Sequence, residues 1–246
     1  MTVSYLPTRS QPTTTHIDIG VDLSALGAPA HEVVPELPAA PADLLRLAGA
    51  ARSVDRAGLS FTALGPDFRL LPDNPRRGGA PSGGGFDALT AARRISSAGP
   101  AQVVPSVSAD ASPSAVVAEL ARFSRQHGGP ARLQIDVGES LADARRLAAA
   151  VRHARGEQAP QIVIPVATAA HVALAGEIAD IVRIREYDVA WARELRYAVR
   201  AAALAAGRGP LPVLVDVRAI IGEDPVTARV RAELVDSLGG APAAGA

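Results

Sequence analysis

Short apolar runs alternate along the chain with longer segments whose apolar residues recur at helical spacing, from residue 16 onward. This alternation predicts parallel strands that are linked by helices. We predict seven strands, at residues 16–23, 59–64, 101–107, 131–137, 161–166, 180–185 and 212–221.

The helices between these strands begin with capping residues that directly follow a strand. Ser112, Ser140, Asp188 and Asp224 each have a side-chain oxygen that can accept from the first free backbone N–H groups of a helix. Gly128 and Gly239 are expected to end the first and the last of these four helices. The apolar residues predicted to face inward are Val116, Val117, Leu120 and Phe123, then Leu141, Leu147 and Val151, then Trp191, Leu195 and Val199, and finally Val226, Val230 and Leu234.

Seven strand-helix units with right-handed crossovers form either a curled barrel or a doubly wound open sheet. The even spacing, and the lack of an early Gly-rich dinucleotide turn, favour the barrel. No eighth strand is evident, because the chain after Leu238 reads GGAPAAGA. We therefore predict an α/β fold, a (β/α) barrel of TIM type that is incomplete, with an open edge covered by the N-terminal segment or by another subunit.

The same pattern predicts the domain organisation. Residues 16–238 form a single barrel domain, between a Thr- and Pro-rich arm at residues 1–15 and a tail at residues 239–246. Residues 65–85 are a long Gly/Pro-rich loop that leaves the second strand. In a barrel this loop rises from the catalytic face, where it is either a lid or a disordered segment.

Composition excludes several classes of chemistry. All 25 basic residues are arginine, which removes Schiff-base lysines and the lysine of a phosphate-binding P-loop. Cysteine is absent, which removes disulfides, thiolate nucleophiles and cysteine-ligated metals. The 25 acidic residues balance the basic ones, so no overall field favours nucleic acid or a membrane surface. A secretion signal lacks support, so a cytoplasmic protein is the expectation. The Ala-, Arg- and Gly-rich, lysine-free composition suggests a GC-rich bacterial genome.

Three stretches together resemble one enzyme family. They read HIDIGVDLSALGAPAHEVV, VVPSVSADASPSAVVAELARFSRQHGGPARLQIDVGES and IVIPVATAAHVALAGEIADIV, and they follow the order of the first, third-to-fourth and fifth-to-sixth elements of luciferase-like monooxygenases. The resemblance implies a flavin, either reduced FMN or the deazaflavin F420, that lies across the carboxyl ends of the barrel strands.

The resemblance also implies which residues hold this cofactor. The third strand contributes hydroxyl groups near the ring, the fourth strand and the following turn contact the flavin, and the second-strand loop places polar residues close to it. Thr168 falls where the phosphate loop begins. The implied cofactor residues are Asp67, Ser106, Ser108, Asp136, Val137, Ser140 and Thr168.

Two interpretations of Thr168 remain open. A helix start offers free N–H groups and the positive end of a dipole, which suits a phosphate. However, the turn reads Ala167, Thr168, Ala169, Ala170, whereas related sequences commonly have a Gly-Ser-rich turn that allows a closer backbone approach. Thr168 therefore either binds phosphate or simply caps the helix.

Histidines and carboxylates offer other chemistry. The five histidines form no metal motif, and we expect no metal site. His31 follows the first strand on the predicted catalytic face and is either a substrate-binding or catalytic residue or an exposed loop histidine.

Asp18, Asp22, Asp136 and Asp216 lie on predicted strands. They serve either as paired acid-base groups or as partners of the abundant arginines.

These observations lead to two functional expectations. The first is a luciferase-like, flavin- or F420-dependent monooxygenase or oxidoreductase that acts on a small organic substrate. The second is a flavin-free barrel homologue that serves as a non-catalytic partner or binding subunit. For either function, the resemblance implies a homodimer or a heteromer with a related barrel subunit. The short connection over residues 141–160, where the family often has a long insertion, and the Ala-rich phosphate turn favour the second.

Overall fold

The structure is a computed structural model that describes residues 19–24, 43–65, 68, 70, 86–97, 102–185, 188–216 and 223–238. Strands and helices alternate throughout these ranges. The strands are β1 (Gly20–Asp22), β2 (Phe61–Leu64), β3 (Gln102–Ser108), β4 (Arg132–Asp136), β5 (Gln161–Val166), β6 (Ile181–Ile184) and β7 (Val213–Val215). The helices are α1 (Leu44–Arg56), α2 (Asp87–Ile95), α3 (Pro113–His127), α4 (Leu141–Arg155), α5 (Ala169–Ile178), α6 (Val189–Ala205) and α7 (Pro225–Leu238).

The strands form one parallel sheet in the order in which they occur along the chain. In a flat sheet, β1 and β6 would lie about 24 Å apart, because neighbouring strands are about 4.8 Å apart. Instead, Nη2 of Arg183 on β6 lies 2.6 Å from a carboxylate oxygen of Asp22 on β1. The sheet is therefore curled into an incomplete barrel, and the predicted fold is confirmed.

All seven predicted strands are present among the described residues. The central ones match their predicted bounds closely, whereas β1 and β7 are short, at three residues each. The second half of the predicted seventh strand, residues 217–221, lies outside the described residues. Among the described residues β1 and β7 are each paired on one side only, so the barrel has an open seam between them.

The capping residues behave as predicted at three helices. Side-chain oxygens of Ser140, Asp188 and Asp224 accept from the backbone N–H groups of Asp143, Trp191 and Val226 respectively. Gly128 ends α3 with a left-handed φ of 78°. Ser112 differs from the prediction: its hydroxyl makes no capping bond and instead lies 3.0 Å from the hydroxyl of Ser114. Pro113 in the first turn already lacks one of the N–H groups that a cap would satisfy.

The main core lies between the sheet and the surrounding helices. Alternate strand residues point outward into it, and each helix from α1 to α6 contributes its buried stripe. The strand residues at its centre are Val103, Val107, Leu133, Ile135, Ile162, Ile164, Val182 and Ile184. Because strand side chains alternate, the remaining positions of the same strands face the interior of the barrel.

The prediction that Val226 and Val230 of α7 face inward is wrong. Val226 is 72% exposed and Val230 is 58% exposed. Within the described ranges no strand follows β7 in the sheet, so this face of α7 has no sheet surface to pack against. Trp191 was also predicted to face inward, but it is 46% exposed, whereas Leu195 and Val199 on the same helix are buried.

Two further observations concern the helices and the predicted domain bounds. No described helix combines the length and the apolar character that a membrane crossing requires. The predicted arm, residues 1–15, and tail, residues 239–246, lie outside the described residues, as does most of the loop at residues 65–85. The domain bounds therefore stay a prediction.

Candidate functional site at the carboxyl end of the barrel

An apolar floor fills the lower part of the barrel interior. It consists of buried Val104, Val163 and Ile181, against which Phe61 and Leu214 pack. The Arg132 guanidinium lies 5.7 Å from the centre of the Phe61 ring, so a cation contacts this floor from β4. Layers of inward side chains of this kind fill the interior of (β/α) barrels, which leaves the carboxyl ends of the strands as the place for a ligand.

A layer of polar side chains lies inside the barrel around Arg183, and we call it the inner polar layer. Its members are Asp22, Ser106, Gln134, Arg183 and Asp216, which come from four different strands and the residue after β7. Arg183 is at its centre, and its side chain is only 7% exposed. A charge this deeply buried requires partners, and each of the other layer members contributes to holding it.

The contacts of Arg183 use its donors on three sides. Its Nε and Nη2 donate to the two carboxylate oxygens of Asp216, at 2.8 and 2.9 Å. Nη2 also donates to Asp22, at 2.6 Å, and Nη1 donates to the amide oxygen of Gln134, at 3.0 Å. Arg183 thus joins the two edge strands across the seam. The arginine partnership that the sequence left open for Asp22 and Asp216 is confirmed.

These contacts shift the pKa of both charged partners. Burial disfavours the ionised form of Asp22, but hydrogen bonds from Ser24 and Arg183 outweigh it and lower the pKa of this carboxyl below its ordinary value. Burial likewise disfavours the charged form of Arg183, but the hydrogen bonds to Asp216 and Asp22 outweigh it and raise its pKa. The pair is therefore fully ionised at neutral pH.

A relay of hydrogen bonds fixes the orientation of Ser106. A guanidinium only donates, so the Gln134 atom facing Arg183 must be the amide oxygen. The amide nitrogen of Gln134 then faces Ser106 and donates to its hydroxyl oxygen, at 3.1 Å. Ser106 is 1% exposed and is an acceptor in this bond, so its proton remains for a second partner. The Ser106 hydroxyl lies in the inner polar layer, one layer of side chains below the carboxyl ends of the strands.

Above this layer is the rim, formed by Ser24, Gly65, Ser108, Asp136 and Arg185. Ser108 and Asp136 are register partners at the carboxyl ends of β3 and β4, and therefore lie side by side. The Ser108 hydroxyl donates to Asp110. The sequence prediction that these two residues share one edge of the sheet thus agrees with the geometry, whereas their contact with a cofactor stays a prediction.

Arg185 crosses the rim toward the opposite strands. A methyl group added to Gly65 would lie 2.6 Å from Oγ of Ser24 and 3.4 Å from Nη2 of Arg185, so a larger residue there would displace the Ser24 hydroxyl. The Gly65 N–H donates to the Ser24 hydroxyl, at 2.5 Å. Within the described residues Arg185 makes one long ion pair, 3.8 Å to Asp216, and its side chain is 36% exposed. It therefore presents a partly solvated cation at the rim.

The other predicted cofactor residues lie at the same end of the barrel in different environments. The Val137 side chain is 3% exposed and packs in the core between sheet and helices, so only its backbone is directed away from that core. Ser140 caps α4. Thr168 caps α5, where its hydroxyl accepts from the backbone N–H of His171 at 3.2 Å. The capping bond of Thr168 is thus present, while its phosphate role stays a prediction.

Several candidate residues lie outside the described residues, namely His31, Asp67 and Asp18. Of the other histidines, His127 ends α3 with its ring against Phe123, at 6.1 Å between ring centres. In the part of the chain that the structure describes, no three histidine or carboxylate side chains converge as metal ligands.

Sequence reasoning did not single out Gln134, Arg183 or Arg185. Each is a polar residue in or beside a strand that otherwise looks buried. The available signal was the period of two: Arg183 and Arg185 alternate with Val182 and Ile184, which belong to the outward face. Alternating cations on the inward face of a barrel strand indicate a charged interior.

Comparison with known proteins identifies solved structures that have a similar fold. The sequence matches no protein-family model and no curated relative. Among solved structures, it is similar to the EDTA monooxygenase EmoA from Chelativorans sp. BNC1, with 16% identity and a TM-score of 0.59 over 77% of this chain and 61% of that chain. It is also similar to the riboflavin lyase RcaE with modified FMN and substrate riboflavin, with 12% identity and a TM-score of 0.62 over 91% and 67% of the two chains.

A third neighbour is the coenzyme F420 dependent tetrahydromethanopterin reductase from Methanopyrus kandleri, with 11% identity and a TM-score of 0.64 over 86% of this chain and 69% of that chain. The fold expected from the resemblance to luciferase-like monooxygenases is therefore confirmed. This chain spans between 61% and 69% of the length of these three proteins.

Proposed function

We propose that this chain is an oxidoreductase of the luciferase-like type that binds FMN or F420 at the rim and acts on a small organic substrate. The observation that carries the proposal is Arg185, a partly solvated cation that crosses the carboxyl end of the barrel with one long ion pair. Structural neighbours with this fold include a monooxygenase, an FMN-bound enzyme and an F420-dependent enzyme, which supports the cofactor class.

The donors at the carboxyl end fit an anionic cofactor. The Arg185 guanidinium suits the carbonyl oxygens of a flavin ring. The Ser108 hydroxyl donates to Asp110 and can donate to the ring only by leaving that partner. At the start of α5, Thr168 accepts one hydrogen bond but keeps its own proton, so it can cap the helix and still donate to a phosphate. The backbone N–H groups of Ala169 and Ala170 precede the first bonded N–H of the helix and are oriented for the same anion.

Each layer of the site has a distinct task in this proposal. The cofactor, when bound, supplies the electrons for the oxidation or hydride exchange. Arg185 stabilises negative charge on the ring, while the inner polar layer holds Arg183 and Ser106 in fixed positions below it.

Comparison of two ligands that differ only in a phosphate tests the proposal. FMN and riboflavin are titrated separately against the protein, and binding is followed by quenching of flavin fluorescence. FMN is expected to bind more tightly than riboflavin. Thr168→Val should bring the two affinities together, because it removes the hydroxyl donor of the phosphate site. Arg185→Gln should weaken both ligands, because it acts at the ring.

Ser96→Ala is the matched control, since its hydroxyl bonds to Arg93 at the end of α2, away from the carboxyl edge of the strands. This variant should retain both affinities. F420 is titrated in the same way, because the rim donors suit either ring. Failure of FMN, riboflavin and F420 to bind saturably at millimolar concentration would reject the proposal, as would equal effects of Ser96→Ala and Arg185→Gln.

The flavin-free alternative has its own supporting observation. Thr168 is already engaged as a cap, and alanines rather than glycines follow it, which limits a close approach of phosphate to the backbone. In this alternative the barrel is a binding subunit for another protein. The same titrations distinguish the two, since a flavin-free subunit would leave the fluorescence of every cofactor unchanged.

A further inference from the structure

The outward side of α6 is unusually apolar. Tyr197 is 64% exposed and Leu204 is 59% exposed. Together with exposed Ala190 and Ala201, they form what we call the outer face of α6. Ala190, Tyr197 and Leu204 are spaced seven residues apart, so two helical turns separate each from the next and all three lie along one line.

This face lies opposite the side by which α6 is packed into the protein. Ala192, Leu195, Val199 and Ala203 are the buried residues of the helix. A helix that only covers a sheet needs a single apolar stripe and has polar residues on its other side. The second stripe on α6 therefore has no packing role within the described fold, and exposed aromatic and apolar residues grouped in this way are typical of a protein interface.

Charge along the helix indicates what covers this face. Arg193, Arg196 and Arg200 are exposed and follow one flank of the outer face, at spacings of three and four residues. Glu194 is the one carboxylate within α6. The flank is therefore strongly basic, although the whole chain carries no net charge.

This distribution argues against a second copy as the occupant. When two copies of α6 pack antiparallel about a twofold axis, like flanks meet, so the arginines of one copy would face those of the other. When they pack parallel, the basic flank of each copy faces a flank with only Glu194 to neutralise three arginines. Like charges placed together destabilise the antiparallel interface. In the parallel interface most of the arginines lack a carboxylate partner.

We propose that the outer face of α6 binds an amphipathic helix of a different protein, one with an apolar stripe bordered by carboxylates. The stripe covers Tyr197, Ala201 and Leu204, and the carboxylates pair with Arg193, Arg196 and Arg200. This surface faces away from the barrel interior, so the inference does not depend on the proposed cofactor.

The single tryptophan of the chain provides the readout. Trp191 is on α6, on the flank opposite the arginines, and is 46% exposed, so a helix that docks there changes its fluorescence. The probe is a synthetic helical peptide, three heptads long, with Leu in the apolar stripe and Glu on both flanks. A second peptide of the same pattern carries Lys in place of Glu. We expect saturable binding of the acidic peptide, at least about tenfold tighter than that of the basic one.

Variants test whether the acidic peptide binds to the outer face of α6. Tyr197→Ser and Leu204→Ser are expected to weaken the acidic peptide about tenfold or more, because each removes apolar area from the contact. Leu45→Ser is the matched control: Leu45 is 79% exposed, but lies on α1. Replacing Arg193 and Arg200 together by Glu should reverse the preference in favour of the basic peptide. Circular dichroism checks that each variant is folded.

Three outcomes would overturn the proposal. The first is no saturable change of Trp191 fluorescence with the acidic peptide. The second is equal binding of the acidic and basic peptides, or equal weakening by Leu45→Ser and Leu204→Ser. The third is a concentration-dependent dimer of the protein alone in sedimentation equilibrium that Leu204→Ser abolishes, because the face would then belong to a second copy.

Discussion

Asp22 and Arg183 are 161 positions apart in the chain, and their side chains are 2.6 Å apart in the structure. With Asp216, which follows β7, they form a three-residue ion cluster that spans the seam between the first and last strands. No backbone ladder joins these two strands in the described residues, so this cluster is what connects them.

Arg183→Met is expected to reduce the free energy of unfolding by about 3–5 kcal/mol, because it leaves Asp22 without its arginine partner and Asp216 with only the long ion pair to Arg185. Urea unfolding followed by circular dichroism measures the change. The triple variant with Asp22→Asn and Asp216→Asn should recover part of the loss, since it removes the uncompensated charges as well. An Arg183→Met protein as stable as the original would show that the cluster does not hold the seam.

The pH dependence of stability follows from the lowered pKa of Asp22. The folded pKa is below the unfolded value of about 3.9, so the ionised carboxylate stabilises the fold fully above that pH. This contribution is lost as the pH falls through the folded pKa. Unfolding free energies of the original protein and of Asp22→Asn should therefore differ at pH 7 and converge in strong acid. A difference that stays constant through this range would contradict the assignment.

Gly176→Ala is expected to destabilise the protein by about 1–3 kcal/mol, although alanine is the better helix former. A methyl group there would lie 2.7 Å from the carbonyl carbon of Ala202, where α5 packs closely on α6. Gly49→Ala in α1 is the matched control, since nothing lies within 4 Å of its added methyl. It should stabilise by about 0.5–1 kcal/mol. Thermal unfolding of both variants tests the contrast, which equal shifts would refute.

Ser106→Ala should cost about 1–3 kcal/mol of unfolding free energy, because the buried amide of Gln134 loses its acceptor. Ser112→Ala should change it by less than about 0.5 kcal/mol, since that hydroxyl is exposed and makes no capping bond. Chemical denaturation of the two variants measures the difference. A larger loss for Ser112→Ala would mean that the cap exists in solution after all.

The sequence predicts the barrel well because parallel strands buried on both faces read as apolar runs between capped helices. Ser140, Asp188 and Asp224 illustrate this, since a capping residue acts through its own first turn and needs no distant partner. The prediction that Asp22 and Asp216 pair with arginines was correct in kind. It did not identify Arg183, because the pairing depends on how far the sheet curls, which no local pattern contains.

The incorrect predictions for α6 and α7 also arise because a local pattern does not show how distant elements meet. Apolar periodicity shows that one side of a helix is apolar, but not whether a partner surface exists there. On α7, Val226 and Val230 are correctly grouped and yet exposed. On α6, apolar residues occur on both sides, so Trp191 was assigned to the buried stripe when only its neighbours Leu195 and Val199 belong to it.

The seam between β1 and β7 has a mechanical consequence. In a closed barrel, widening the ring breaks backbone hydrogen bonds between neighbouring strands. Among the described residues the join is made by one guanidinium and two carboxylates, so these two strands can move apart without breaking any hydrogen bond of the seven-stranded ladder. The width of the opening above the sheet therefore depends on side-chain contacts at this seam.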